Sequence, residues 1–210
     1  MPLIRKPGPK AAPPVEQRRG VDVLEALRGG SKEERWAAAR AIANTPEHAN
    51  ALAAAVRVEF DRGVREAMFT SLARMGSPAS LDALCEFVRS DDASVRAAAL
   101  DALRTNVAAM RTRLPQLLSD ADSDVRLLCC ELARSLPSDE ATRMLAAVLV
   151  READVNVCAA AIDVLTEAGR AEALPALEAC EARFKDSPFL AFAIAIAKER
   201  IHAQSTPRHG

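Results

Sequence analysis

A short string recurs along the chain at a nearly constant interval, and this recurrence limits the possible folds more than any other feature. In each copy an Asp is followed three residues later by an apolar residue, and in the clearest copies an Arg comes next. Successive apolar anchors lie 31, 30, 32 and 32 positions apart. They are Val64, Val95, Val125, Val157 and Phe189. A regular period of this length indicates a solenoid of stacked supersecondary units.

Each copy opens an Ala- and Leu-rich run that has the spacing of an amphipathic helix. After the second clear copy, for example, Val95, Ala99 and Leu103 share one face. The Asp stands at the N-cap position, where its carboxylate accepts hydrogen bonds from the first free amides of a helix. A shorter run of helical spacing precedes each copy. The unit is therefore a pair of antiparallel helices, helix A and helix B, joined by a tight turn.

Three units depart from this pattern. In the first, Lys32 replaces the Asp, and Trp36 lies where later copies have Arg. In the last two, Cys158 and Leu190 replace the Arg. Terminal units of a solenoid deviate because one side of each has no neighbour. In the fourth unit Pro115 falls within helix A, so we expect a kink or break there.

The copies at residues 61–65, 92–96 and 122–126 resemble the HEAT repeat family, in its short bacterial, phycobilin-lyase-like form. In that form an acidic turn leads into Val-Arg and an Ala-rich second helix. The resemblance implies an all-α fold, namely a right-handed α-solenoid (superhelix) of about six antiparallel helix pairs. The predicted repeats span residues 21–45, 46–76, 77–106, 107–137, 138–169 and 170–203. We expect flexible tails at both ends: residues 1–20, which are basic and Pro-rich, and residues 204–210.

The resemblance also implies a structural role for the recurring Asp and Arg residues. In HEAT-like stacks such residues form a ladder of hydrogen bonds between the turns of adjacent repeats. Each Arg is then expected to reach the acidic turn of a neighbouring repeat. The predicted ladder residues are Asp61, Arg65, Asp92, Arg96, Asp122, Arg126, Asp154 and Asp186.

A second set of residues is predicted to face a partner. In HEAT-like solenoids the B helices line the concave side, which is the usual binding surface of such stacks. Counted from the apolar anchor as zero, positions two, six and nine share a face opposite the predicted core. The same residues also fit an ordinary solvated face with weak charge pairs. The candidates are Glu66, Thr70, Asp101, Arg104, Leu127, Glu131, Arg134, Asp163, Thr166 and Lys198.

Composition and motifs argue against several other functions. A formal net charge of −1 and an aromatic content of 3% do not favour a nucleic-acid binder or a HEAT-like DNA glycosylase. HEAT-like deoxyhypusine hydroxylases hold iron with His-Glu pairs, and this sequence contains no His-Glu dipeptide. The five cysteines are irregularly spaced within apolar helical runs, which indicates free thiols in a reducing compartment.

These observations predict a non-enzymatic scaffold or adaptor with a regulatory role, which binds a protein partner on the concave B-helix face. We expect it to be cytoplasmic and monomeric by itself, with no cofactor, metal, nucleic acid or membrane involved. No apolar run approaches the length of about 18 residues that suggests a membrane span. The alternatives are a phycobilin-lyase-like protein that handles a chromophore and a HEAT-like nucleic-acid binder.

Overall fold

The computed structural model describes residues 22–205, without the side chains of residues 107–110 and 205. The predicted N-terminal tail lies outside the described residues, as does the predicted C-terminal tail from residue 206 onward. Within the described range the chain forms twelve α-helices and no strand. They are α1 (Val23–Gly29), α2 (Lys32–Ala41), α3 (Ala49–Val58), α4 (Arg62–Met75), α5 (Pro78–Phe87), α6 (Ala93–Arg104), α7 (Val107–Leu117), α8 (Ser123–Leu132), α9 (Ser138–Arg151), α10 (Val155–Ala168), α11 (Leu174–Arg183) and α12 (Pro188–Ser205).

The helices form six antiparallel pairs, so the prediction of an all-α solenoid of helix pairs is confirmed. Odd-numbered helices are the A helices, and even-numbered helices are the B helices. Each B helix contacts the B helix of the next pair, from α2 through to α12. One continuous core of Ala, Leu, Val, Ile and Cys side chains lies between the two layers. Among the described residues no helix is long and apolar enough to span a bilayer.

The recurring Asp residues start the B helices, as their position in the repeat predicts. Asp61, Asp92, Asp122 and Asp154 each accept a hydrogen bond from a backbone amide in the first turn of the helix that follows. Gly76 ends α4 with φ 55°, a left-handed conformation that glycine adopts without the steric cost of a Cβ. Local chemistry of the turns therefore sets where these helices begin and end.

The first repeat is less degenerate than the sequence suggests. Ser31 is the N-cap of α2 and forms the capping box with Glu34 that the spacing of these two residues predicts, so Lys32, which aligns with the recurring Asp, is the first helical residue. Counted from this N-cap, Arg35 occupies the position that Arg65 has in the next repeat, and Trp36 does not. The expectation that Trp36 replaces the Arg is wrong, because a Ser replaces the Asp as the capping residue and moves the register by one position.

The last repeat shows a shift of one position in the opposite direction. The Ser187 hydroxyl accepts a hydrogen bond from the Leu190 amide in the first turn of α12, whereas Asp186 lies in the preceding turn. Leu190 is fully buried, and Phe189 is 62% exposed. The buried anchor of this repeat is therefore Leu190 rather than Phe189. Ser187 rather than Asp186 is the cap because Ser187 lies directly before a Pro at the first helical position.

Helix α7 runs from Val107 to Leu117 without a break at Pro115, so the break expected there does not occur. A proline inside a helix removes the hydrogen bond that its amide would give to the carbonyl four residues earlier. Pro115 is the third residue from the end of α7, so the hydrogen bond that it removes belongs to the last turn of the helix. The Pro115 carbonyl itself accepts a hydrogen bond from the Ser119 hydroxyl, 3.0 Å away.

Candidate functional site

Two buried carboxylates connect adjacent repeats. Glu59 receives two hydrogen bonds from Arg35 of the preceding repeat, at 2.6 and 3.1 Å, and its side chain is 4% exposed. Glu152 receives two from Arg126, at 2.8 and 2.9 Å, and its side chain is 6% exposed. Both carboxylates also accept backbone amides of their own turn, including that of Asp61 for Glu59. We call these pairs the Arg35–Glu59 clamp and the Arg126–Glu152 clamp.

The pKa values of the two clamp carboxylates reflect these contacts. The hydrogen bonds from Arg35 outweigh the cost of burial and hold the pKa of Glu59 below its usual value. Arg126 does the same for Glu152. Both glutamates are therefore ionised and paired at neutral pH, and each of them ties one repeat to the next.

The predicted ladder is formed only in part. Arg65 donates to Ser94 and, at 3.5 Å, to Asp92 of the following repeat. Arg96 instead donates to the carbonyls of Ser90 and Asp91 in its own turn, so its expected contact with the next repeat is not formed. The counterpart of the clamp glutamates in the next repeat is Asp120, which accepts a hydrogen bond from Arg89 instead.

The ladder residues Asp61, Asp122 and Asp154 cap their own helices, and Asp61 also contacts the preceding repeat. Asp61 caps α4 and also pairs with Lys32 of the first repeat at 2.8 Å. Asp122 and Asp154 cap their own helices, and in the described part of the chain neither makes an ion pair with a neighbouring repeat. The cross-repeat acid in the fourth turn is Asp120, which accepts a hydrogen bond from Arg89 at 2.7 Å. Glu59, Asp120 and Glu152 each lie two positions before a capping Asp. An acidic residue at that position is therefore the sequence signal for a contact with the preceding repeat.

An open groove lies on the B-helix face, the surface formed by the even-numbered helices. It runs between α4 and α6 and has a volume of about 610 Å³. Its floor consists of small apolar side chains and one aromatic ring: Phe69, Ala73, Ala97, Ala98 and Ala102. We call it the α4–α6 groove. A smaller cavity of about 350 Å³ adjoins it on the other side of α4 and includes Trp36 and Arg40.

Three of the predicted partner-binding residues line the α4–α6 groove. Glu66 and Thr70 come from α4, and Asp101 comes from α6. The Thr70 hydroxyl donates to the Glu66 carbonyl, and Asp101 pairs with Arg104 of its own helix at 2.7 Å. The positions predicted from the repeat register therefore do meet at one cavity in the second and third repeats.

On its α6 side the groove is lined by small side chains at repeat positions where α8 carries large ones. Two and three positions after the anchor, the third repeat has Ala97 and Ala98, and the fourth repeat has Leu127 and Leu128. The two leucines pack against the core and are partly buried. Leu127 is thus part of the packing between repeats rather than a free contact point for a partner.

The same face of the fourth and fifth repeats carries a network of ion pairs. Arg134 pairs with Glu131 of its own helix at 3.2 Å, with Asp163 of α10 at 2.8 Å, and with Glu167 of α10. Thr166 donates its hydroxyl to the carbonyl of Ile162 in the same helix. The predicted acidic column is therefore partly neutralised by Arg134 at this point.

Lys198 does not lie on the predicted face. Its ammonium group pairs with Glu181 of α11 at 2.6 Å, so it points toward the A helix of its own repeat. Counted from the buried anchor Leu190, Lys198 is at position eight, which faces the core in the other repeats. Positions two and nine of this repeat are Phe192 and Glu199, and both are exposed. The assignment of Lys198 followed from the choice of Phe189 as anchor and is corrected with it.

The cysteines are all buried free thiols. The thiols of Cys158 in α10 and Cys180 in α11 interact, which lowers the pKa of Cys180 and raises that of Cys158. Among the described residues, no group of three or more His, Cys, Asp or Glu side chains is placed to hold a metal ion.

Comparison with known families agrees with the repeat architecture. Residues 21–104 match the family of HEAT repeats. The helix pairs that follow residue 104 continue the same helix-pair architecture. A comparison with curated proteins finds no match.

Several solved structures are similar in fold. An archaeal HEAT-like repeats protein from Thermococcus onnurineus NA1 is 13% identical, with a TM-score of 0.46 over 88% of this chain and 87% of that one. Human deoxyhypusine hydroxylase in complex with glycerol is 14% identical, with a TM-score of 0.44 over 86% and 83%. The complex of CpcE and CpcF of phycocyanin lyase from Nostoc sp. PCC7120 is 16% identical, with a TM-score of 0.35 over 93% and 100%. Similarities at this level support no inference about what the chain binds or catalyses.

Proposed function

We propose that this chain is a non-enzymatic scaffold that binds another protein on the B-helix face of its second and third repeats. The observation that supports this function is the α4–α6 groove. It combines an apolar floor with polar and charged groups on both sides, which is the usual make-up of a recognition site. Solenoids present extended surfaces of this kind because each repeat contacts only its neighbours and leaves one face open.

The clamps support the same proposal because they hold the repeats in a defined geometry. The Arg35–Glu59 clamp connects the first and second repeats, and the Arg126–Glu152 clamp connects the fourth and fifth. A surface held in position before binding loses less entropy when a partner binds. We place the protein in the cytoplasm, because its five buried cysteines are free thiols and free thiols persist in a reducing compartment.

Capture of the partner from a native cell extract tests this function. The double variant Ala97→Leu with Ala98→Leu gives the third repeat the side chains that the fourth repeat already has, and it should fill the groove. We expect this variant to fold normally and to lose the protein that the wild-type chain retains. Mass spectrometry of the bound fraction provides the measurement.

A matched control is available on the A-helix layer. Ala146 and Ala147 are adjacent residues of α9, one half-buried and one exposed, as are Ala98 and Ala97. The variant Ala146→Leu with Ala147→Leu should keep the partner. If the control variant loses the partner and the groove variant keeps it, the binding surface lies on the A helices and the proposal is wrong.

A further inference from the structure

The charges around the α4–α6 groove indicate what kind of partner it fits, provided that the proposed scaffold function holds. We infer that the groove binds a short acidic segment of the partner protein, with carboxylates at both ends and an apolar side chain between them. The arginines at the two ends of α4, the apolar floor, and the acids that α4 and α6 contribute between them support this inference.

Arginines mark the two ends of the groove. Arg62 lies at the first residue of α4, and Arg74 lies in its last turn; both are exposed. In the described part of the chain neither guanidinium group has an ion-pair partner. Arg65, beside Arg62, is engaged: it donates to Ser94 at 2.9 Å and pairs with Asp92 at 3.5 Å. Guanidinium groups match carboxylates geometrically and bind them with paired hydrogen bonds. Both ends of the groove therefore have the capacity to bind a carboxylate.

The middle of the groove has a different character. Its floor there is apolar, with Phe69 and Ala98 at its base, and it accommodates an uncharged side chain. Glu66 and Asp101 line the same stretch. A nucleic acid carries a phosphate at every nucleotide, so its backbone would pass these carboxylates at a cost in repulsion. A peptide that is acidic only at its ends avoids that repulsion, and this favours a protein segment over DNA or RNA.

The length of the groove sets the length of the segment. Arg62 and Arg74 are separated by about 18 Å along the helix, at about 1.5 Å per residue. An extended chain covers that distance in about six residues. The N-terminal residues of this same chain are a poor occupant, because Arg5, Lys6 and Lys10 would face the groove arginines.

Selection from a library of random peptides of about eight residues, displayed on phage and bound to the full chain, tests the inference. The length allows one residue beyond each end of the groove. We expect the selected peptides to carry Asp or Glu near both ends and a large apolar residue between them. A synthetic peptide of the consensus sequence, measured by fluorescence anisotropy, then serves as the defined ligand.

Two variants with similar changes in charge locate the binding site. Arg62→Glu with Arg74→Gln should weaken binding of the consensus peptide at least tenfold. Arg143→Glu with Arg170→Gln removes two exposed arginines outside the groove and should leave its affinity unchanged. Circular dichroism of both variants shows that the fold is retained.

The remaining outcomes each overturn the inference. Selected peptides that are basic or uncharged, or a consensus peptide that binds the Arg62→Glu, Arg74→Gln variant as well as the wild type, would show that the arginines do not select the segment. So would salt-sensitive binding of a double-stranded DNA fragment that the same variant abolishes. When one of these outcomes occurs and the Ala97→Leu, Ala98→Leu variant still loses the partner, only the acidic segment is refuted and the scaffold function stands. If capture survives that change, the proposed function fails as well.

Discussion

The B-helix face differs between the second and third repeats and the fourth and fifth, although the helices follow the same register. Between α4 and α6 the small residues Ala97 and Ala98 leave an open groove, and the arginines at its ends lack ion-pair partners in the described residues. Between α8 and α10 the equivalent surface carries the Arg134 network, and Leu127 fills the space beside it. One repeat pattern thus produces a surface open for binding in one region and a surface used for internal packing in the other.

This contrast shows which positions decide the role of a repeat. Position six from the anchor is acidic in both regions, at Asp101 and at Asp163. Asp101 pairs within its own helix, whereas Asp163 pairs with Arg134 of the preceding repeat. Asp101 lines the α4–α6 groove, whereas Asp163 is held by Arg134, so the charged column alone does not define a binding site.

The largest effect should come from removing the sixth repeat, residues 170 to 210. α12 covers α10, and its loss would expose Ile162 and Leu165, which are about 1% exposed in the full chain. Each buried aliphatic side chain contributes about 1.5–3 kcal/mol. We expect the truncated chain to aggregate, as measured by sedimentation velocity. Removing residues 1–29 deletes α1, which buries only Leu27, and should leave a monomer. A stable monomer after the first deletion would show that the repeats do not depend on one another.

Opening the fourth repeat should produce the next largest effect. Replacing Leu127 and Leu128 with Ala gives this repeat the residues that the third repeat has. Both leucines are partly buried, so the loss of unfolding free energy should be about 2–4 kcal/mol in total, below the range for fully buried leucines. Urea denaturation measures this loss in the free energy of unfolding. The reverse change at Ala97 and Ala98 should alter stability little, and equal losses in both variants would mean that the two regions are packed alike.

The two clamps should contribute about equally to the stability of the chain. Glu152→Gln leaves Arg126 without its charged partner and should lower the free energy of unfolding by about 1–3 kcal/mol, and Glu59→Gln should do the same for Arg35. Because the pKa of each glutamate is lowered on folding, its contribution is present above the unfolded pKa of about 4.3 and is lost as the pH falls below it.

Urea denaturation of these variants at a series of pH values provides the measurement. The wild-type chain should lose its higher free energy of unfolding relative to Glu152→Gln as the pH falls below the unfolded pKa of about 4.3. A difference in stability that stays constant down to pH values well below the unfolded pKa would contradict the role assigned to the paired carboxylates.

The smallest effects should come from the exposed acids of the B-helix face. Asp163→Asn removes a contact between two repeats, and Asp101→Asn removes one within a helix. Both carboxylates are largely exposed, so each loss should stay under about 1 kcal/mol, with Asp163 the larger. Thermal denaturation compares the two. A larger loss for Asp101→Asn would mean that its carboxylate stabilises the third repeat rather than remaining available at the groove.

The sequence predicted the helix pairs well because their boundaries depend on local chemistry. An Asp that caps a helix, followed by an apolar residue three positions later, is visible in the sequence wherever the cap is Asp. The prediction failed at both ends, where Ser31 and Ser187 provide the cap and move the register by one position. Phe189 was taken as an anchor for that reason, and Lys198 was assigned to the wrong face.

The candidate site was less predictable because it depends on contacts between repeats. Positions two and six indicated Glu66 and Asp101, which both line the α4–α6 groove, since helical spacing alone determines which residues share a face. The groove itself results from volume that Ala97 and Ala98 leave unfilled next to α4, which depends on how two helices pack. Likewise Glu59 and Glu152 gain their importance from arginines more than twenty residues away.

Photo-crosslinking in the native cell tests the central claim most directly. A photoreactive amino acid is placed at Thr70 in the α4–α6 groove, at Thr166 on α10, or at Asp139 on the A-helix layer, and the crosslinked products are identified by mass spectrometry. We predict that one protein is crosslinked from Thr70, weakly or not at all from Thr166, and not from Asp139. Efficient crosslinking of that protein from Asp139 with none from Thr70 would contradict the assignment of the binding surface to the second and third repeats.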